Sequence, residues 1–155
     1  MKEYKSFGAL AREMKMNLAR LPAAYGVAME KSALLVEATA KAEIGTYQTS
    51  DMGPFNPWPQ LAQSTITEKR RLGYADEEND NPLLRTGEMR DSIAHEAAPT
   101  GFCVGSPSEI LVYQELGTSR GLPPRPVLAP ALYRSAPAVL KLIAQAVETN
   151  LAGKT

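Results

Sequence analysis

The sequence predicts an α+β fold, with long N-terminal helices and a C-terminal helix packed on a small antiparallel β-sheet. Three observations carry that expectation. Apolar residues recur every three or four positions at both ends of the chain. Between residues 92 and 105 the pattern changes to short, glycine-bounded runs suited to strands. A length of 155 residues suits one domain. The chain therefore reads as a single domain, 1–155. It divides into a helical region over 1–45, Pro-rich and acidic loops with a short helix over 46–82, and a small sheet plus helices over 83–155.

In order along the chain, Phe7, Leu10, Met14, Leu18 and Leu21 share one helical face. Pro22 should kink or break that helix, because proline removes a hydrogen bond and crowds the preceding turn. Tyr25, Met29, Ala33, Val36, Ala40 and Ile44 continue a second stripe, and Gly45 is a stop. Gly53-Pro54-Phe55-Asn56-Pro57-Trp58-Pro59 excludes regular structure and reads as a loop anchored by the only Trp. Thr65-Ile66-Thr67-Glu68 matches a capping box, so a helix carrying Lys69, Arg70 and Arg71 is expected to follow and to end at Gly73. The acidic run 76–82 reads as a solvated, mobile loop.

Thr86 is placed to cap a short helix that includes Glu88. Residues 92–98 read as a strand, with Gly101-Phe102-Cys103-Val104-Gly105 as its hairpin partner. Ser106-Pro107-Ser108-Glu109 predicts a helix capped by Ser106 and closed at Gly117. Val127-Leu128 suggests a further short strand. Ser135 is placed to cap the last helix, with apolar face Ala136, Leu140, Ile143, Val147 and Leu151.

Composition narrows the function. Lys plus Arg and Asp plus Glu both total 17, so net charge is zero and gives no global attraction to phosphates. One His and one Cys cannot build a disulfide or a four-ligand zinc site within one chain. At 44% hydrophobic and 22% charged, the chain falls in the globular range, and bulk disorder is not expected. No apolar run reaches the ~20 residues of a membrane helix, and the first residues lack the apolar core of a signal peptide. The expected setting is a reducing cytoplasm, with Cys103 a small buried apolar residue.

Several motifs point toward catalysis and fail on context. Gly117-Thr118-Ser119-Arg120-Gly121 spells the hydrolase G-x-S-x-G, but a helix precedes it and a Pro-rich stretch follows, the reverse of a nucleophile elbow. His95-Glu96 opens H-E-x-x-H, but Pro99 occupies the second ligand position, leaving His95 as a surface or strand residue. The run from Arg120 to Pro126 fits a proline-motif ligand, and reads more simply as a stiff loop. Lys69-Arg70-Arg71 is a small basic patch beside an acidic loop.

Taken together, several segments resemble one family, the phage tail-completion or virion-morphogenesis proteins of the head–tail junction. The segments are Trp58-Pro59 with Leu61 and Ser64-Thr65; Leu84 through Ile93, with its Thr86-Gly87-Glu88-Met89-Arg90-Asp91 centre; Val104-Gly105-Ser106; Tyr113 with Gly117-Thr118; and Pro124-Arg125-Pro126-Val127-Leu128 leading to Ala131-Leu132. They run in order from 58 to about 132, roughly half the chain. Val127 stands where a Phe is common, and 76–81 resembles an insertion.

The resemblance implies a structural virion protein at the neck or tail end, assembled in the host cytoplasm, without catalytic, cofactor or metal residues. It would form a homo-oligomeric ring, commonly six-fold, against tail terminator, tail tube or head connector proteins, with DNA passing through the lumen. A heterologous contact that closes on rotation gives such a ring. The interface candidates are Trp58, Thr86, Gly87, Arg90, Gly117, Thr118, Pro124, Arg125 and Pro126. Arg90 and Arg125 could fork onto a neighbour's carboxylate, Trp58 could anchor its loop on a neighbour, and the prolines pre-stiffen their loop. Arg125 capping its own chain's carbonyls and Trp58 covering its own core are the intrachain alternatives. A small nucleic-acid-binding or regulatory adaptor using 69–71 is the competing class.

Overall fold

Two antiparallel helices frame the protein: α1 (Phe7–Glu43) and α5 (Leu128–Leu151). Their direction follows from two contacts, Ser135 Oγ donating to Thr39 Oγ1 at 3.1 Å and Asn17 Nδ2 lying 3.5 Å from the Leu151 carbonyl. Between them in sequence come α2 (Gln63–Arg71), α3 (Glu88–Asp91), β1 (Ala94–Ala98), β2 (Gly101–Gly105) and α4 (Glu109–Leu116). The fold is α+β, as its periodicities predict. These elements come from a computed structural model that describes residues 4–48 and 53–152. Residues 1–3, read above against a signal peptide, and 49–52 of the predicted loop lie outside the described residues. Among the described residues no helix is long and apolar enough to cross a membrane.

Helix α1 starts where Ser6 Oγ accepts from the Ala9 amide at 3.2 Å, and runs unbroken through Pro22. The expected break is absent. Pro22 and Leu18 are both exposed, so water can replace the bond that the Leu18 carbonyl loses. Apart from Asn17, buried where α5 ends, the buried side of the helix begins at Ala28 and continues through Ser32, Ala33, Val36 and Ala40. The earlier stripe, Phe7, Met14 and Leu18, is exposed.

The two strands form an antiparallel hairpin with Ala94 opposite Gly105 and His95 opposite Val104. Side chains alternate across a strand, so Cys103 shares the outer face with Glu96 and is exposed, not buried as composition suggested. His95 faces α1, where its ring nitrogens pair with Glu37 and, at 3.1 Å, with Glu30. The Glu37 bond raises the His95 pKa and lowers that of Glu37.

Helix ends account for most departures from expectation. Helix α2 begins at Gln63 behind Ala62, so Thr65 is inside it, not a cap. Its exit matches expectation: Gly73 adopts φ +77°, its amide bonds to Arg70 O, and the Tyr74 amide bonds to Lys69 O. Gly87, at φ +90°, replaces Thr86 as the residue before α3, while Thr86 Oγ1 still accepts from the Glu88 amide at 3.4 Å. Ser108, not Ser106, precedes α4, leaving Pro107 outside the helix. Ser106 Oγ instead bonds to Ser92 Oγ at 2.6 Å and to the Ser108 amide at 3.0 Å.

Val127-Leu128 is not a strand; it opens α5. The cause is distant in sequence. The Glu115 carboxylate on α4 accepts from the amides of Val127, Leu128 and Ala129 at 2.7, 3.2 and 3.2 Å. An anion at a helix N-terminus satisfies orphan amides and complements the dipole. Ser135 and Pro137 are therefore interior. The inward face of α5 is Pro130, Ala131, Ser135 and Val139, so Leu140 and Leu151 of the predicted face are exposed.

Ala40, Ile44, Trp58, Met89, Ile93, Leu111, Val127 and Ala131 form the core, drawn from α1, α3, α4, α5 and the loops between them, and the hairpin adds Val104 at its edge. Burying a side chain such as Ile93 contributes about 1.5–3 kcal/mol.

The His95 pairs bear on pH. A raised folded pKa means that the contribution is complete below the ordinary His value and is lost as pH rises through the folded value. The Glu37 contribution holds above the ordinary Glu value and is lost as pH falls through its lowered one. His95→Gln should therefore remove part of the loss of thermal stability expected as pH rises from 6 to 9. Thermal melts of both proteins across that range check this; identical pH slopes would show that the pair does not hold the hairpin.

Candidate functional site

The resemblance segments meet in one place. Trp58 is only 4% exposed and donates through Nε1 to the Pro126 carbonyl at 3.0 Å. Gln48 Nε2 donates to the same carbonyl at 2.9 Å. Arg125, also 4% exposed, donates through Nε and Nη2 to the Pro59 carbonyl at 3.1 and 3.0 Å, and through Nη2 to Gln60 O at 3.3 Å. Its own amide bonds to Gln114 O at 2.6 Å. The 58–60 and 124–126 segments thus clasp each other, each supplying donors to the other's carbonyls. Prolines suit this arrangement: they need no donor of their own and fix φ.

Both Trp58 and Arg125 follow the intrachain alternative. Their polar groups are spent inside the chain, and burial lowers the Arg125 pKa from its ordinary value. Gly117, Thr118 and Pro124 build the turn above the clasp. Gly117 adopts φ +72°, and a Cβ there would lie 2.8 Å from Leu122 O. The Thr118 amide bonds to Leu122 O at 3.0 Å.

Beside the clasp lies a groove of about 900 Å³. Thr86, Gly87, Arg90 and Arg125 line it, so four of the predicted residues share one wall-to-wall space. Arg90 is turned to its neighbour Asp91, Nε to Oδ1 at 2.9 Å. Thr86 is exposed at the rim. In the groove wall, Leu83 holds φ +63°, which a bulky side chain adopts only under constraint. Buried Pro82 supplies part of that constraint, its carbonyl accepting from the Gly45 amide at 2.9 Å.

The loop expected to be solvated and mobile is bonded in detail. Asp76 Oδ1 accepts from the amides of Glu78 and Asn79 at 2.9 and 2.6 Å, and Asn81 Nδ2 donates to Tyr74 O at 2.9 Å. Lys69 Nζ donates to Asp80 O at 2.7 Å and to Asn81 O. Lys69 is buried, which lowers its pKa. Arg70 pairs with Asp80 at 3.2 Å. Of the basic triplet, Arg71 alone has no such partner among the described residues.

Sequence reasoning missed a polar cluster under the clasp. Glu43, on the last turn of α1, is buried and accepts from Gln48 Nε2 at 3.1 Å, with Arg134 Nη1 3.5 Å from its other oxygen. Burial pushes its pKa up to about 7, against the pull of Arg134. No local pattern announces this group, because a Glu at a helix end normally faces water. Glu115 and Gln114 were missed for the same reason: their partners lie eleven or more residues away.

A second, apolar groove of about 760 Å³ runs between α1 and α5, lined by Ala24, Val27, Leu142 and Ala146 with Arg20 and Lys31 at its edge. No protein-family model, curated protein or solved structure matches the chain.

Two substitutions test the clasp. Arg125→Lys keeps the charge but cannot fork onto two carbonyls, and should cost roughly 2–3 kcal/mol in denaturant unfolding. A cost near zero would mean that the fork does not hold the loops. Glu43→Gln should stabilise above pH 7 by up to about 3 kcal/mol and change little near pH 5, because the folded state of the wild type gains protons and stability falls as pH rises from about 4.5 to 7. Thermal melts at pH 5 and 8 read the difference; equal shifts at both would contradict it.

Proposed function

We propose that the protein is a structural subunit of a phage head–tail junction. In this reading it forms a homo-oligomeric ring, six-fold as in the family it resembles, that completes the tail or joins it to the head connector. Tail terminator, tail tube or connector proteins are its partners, and DNA passes through the ring. Its place is the virion neck or tail end.

The observation that carries the reading is the convergence of the resemblance segments. Residues far apart in sequence, Trp58-Pro59 and Arg125-Pro126, bind each other's backbone, and Thr86, Gly87 and Arg90 stand beside them. The shared pattern therefore describes a fold-defining clasp with a groove at its side, which is what a scaffold subunit has to keep constant. The wealth of exposed apolar side chains, Phe7, Leu18, Leu116, Leu140 and Leu151 among them, also suits a subunit that is covered by neighbours. The adaptor reading loses support because Lys69 and Arg70 are occupied within the chain.

Electron microscopy of the purified protein mixed with connector and tail-tube proteins from the same source tests the proposal. Rings containing several copies of this chain, bound end-on to either partner, are expected. A chain that stays monomeric and joins neither assembly would sink it. Tight, salt-sensitive binding to duplex DNA would favour the adaptor instead.

A further inference from the structure

We infer that subunits meet head to tail, with the basic, apolar N-terminal end of α1 from one copy lying along the acidic outer face of α4 on the next. This rests on the ring reading above and specifies its contact.

The first observation is a stripe that outruns its partner. Five helical turns take eighteen residues. Met14 therefore lies on the same line as buried Ser32, and Leu18 on the same line as buried Val36. Phe7 continues the line. Where α5 and the core are present, this face is covered. Helix α5 ends at Leu151 beside Asn17, and up to and just past that point the face is bare: Phe7 is 85% exposed, Met14 63% and Leu18 69%. A helix this apolar on one face is normally packed.

The second observation is α4, whose apolar residues face the wrong way for an isolated subunit. Leu111 alone is buried; Ile110, Val112, Tyr113 and Leu116 are exposed, Leu116 to 75%. The short helix is held in place by Glu115 and Gln114 bonds at its inner side, so the outward presentation is fixed.

Charge decides which surface meets which. Among the described residues up to 20, the α1 end carries Lys5, Arg12, Lys15 and Arg20 against one carboxylate, Glu13. Laying two such ends together would oppose like charges. Around α4 the sign is reversed. Glu109 stands in its first turn, and Glu88 lines the groove that Ile110 also lines. Neither makes an ion pair among the described residues, whereas Arg85 and Arg90, which line the same groove, are engaged, Arg85 with Glu68 at 3.4 Å and Arg90 with Asp91; Arg120, in the loop after α4, is exposed. Complementary signs favour the unlike pairing and penalise the like one. A contact between two different surfaces of one chain is heterologous, the kind that can close into a ring.

Two exposed positions give a decisive test with the pure full-length chain: Leu18→Glu on α1 and Leu116→Glu on α4. Sedimentation velocity at rising concentration should show the wild type self-associating, less so at high salt. Each variant alone should stay monomeric. An equimolar mixture should give a dimer and nothing larger, since each variant keeps the one surface that the other lacks. If Leu116→Glu assembles like the wild type while Leu18→Glu does not, the α1 ends pair with each other and the inference fails. A mixture that stays monomeric also overturns it. A wild type that is monomeric throughout sinks the inference while leaving assembly on a connector, tested separately above, open.

Discussion

The Pro126 carbonyl is the point on which the structure turns. It accepts from Trp58 and from Gln48 together, and the residue before it, Arg125, forks onto the carbonyls of Pro59 and Gln60. One residue further, Val127 offers its amide to Glu115 and so starts α5. Within three residues the chain thus ties the 58–60 loop, the end of α1 and α4 to the start of the C-terminal helix. Without these bonds two proline-rich segments would have no ladder partners, and their buried carbonyls would cost about 1–3 kcal/mol each.

This arrangement explains the polar interior. Glu43 and Gln48 lie beneath the clasp because something has to meet the second lone pair of Pro126 and the start of the loop. The cost is a carboxyl held in a dry place, with its pKa raised to about 7. Polar networks of this kind specify one arrangement more than they add net stability. A subunit that must present fixed surfaces to neighbours needs that uniqueness.

Much of this was legible in the residues. The 3.6-residue period located α1 and α5, glycine-bounded alternation located Gly101–Gly105, and Gly73 and Gly117 marked helix ends that do adopt positive φ. What failed was capping and facing. Thr65, Ser106 and Ser135 each fit a local cap pattern, yet α5 is capped by Glu115 from another helix, and no short window contains that pairing. α5 carries two apolar stripes, and the sequence has no means of ranking the one through Leu140 below the one through Val139. The same limit applies to the site: Trp58 and Arg125 stand out by type, but only the fold shows that they bond inward. Strand alternation did contain the exposure of Cys103, had its phase been set by His95.

The clasp is tied on both sides, while the helix pair beside it is partly uncovered. Hydrogen exchange, followed by peptide mass spectrometry on the isolated chain, reads both at once. Slowest exchange is expected at the amides of Arg125 and Val127, which are bonded to Gln114 and Glu115, and markedly faster exchange over residues 7–18 of α1. Exchange at 125–127 as fast as at 7–18 would contradict it.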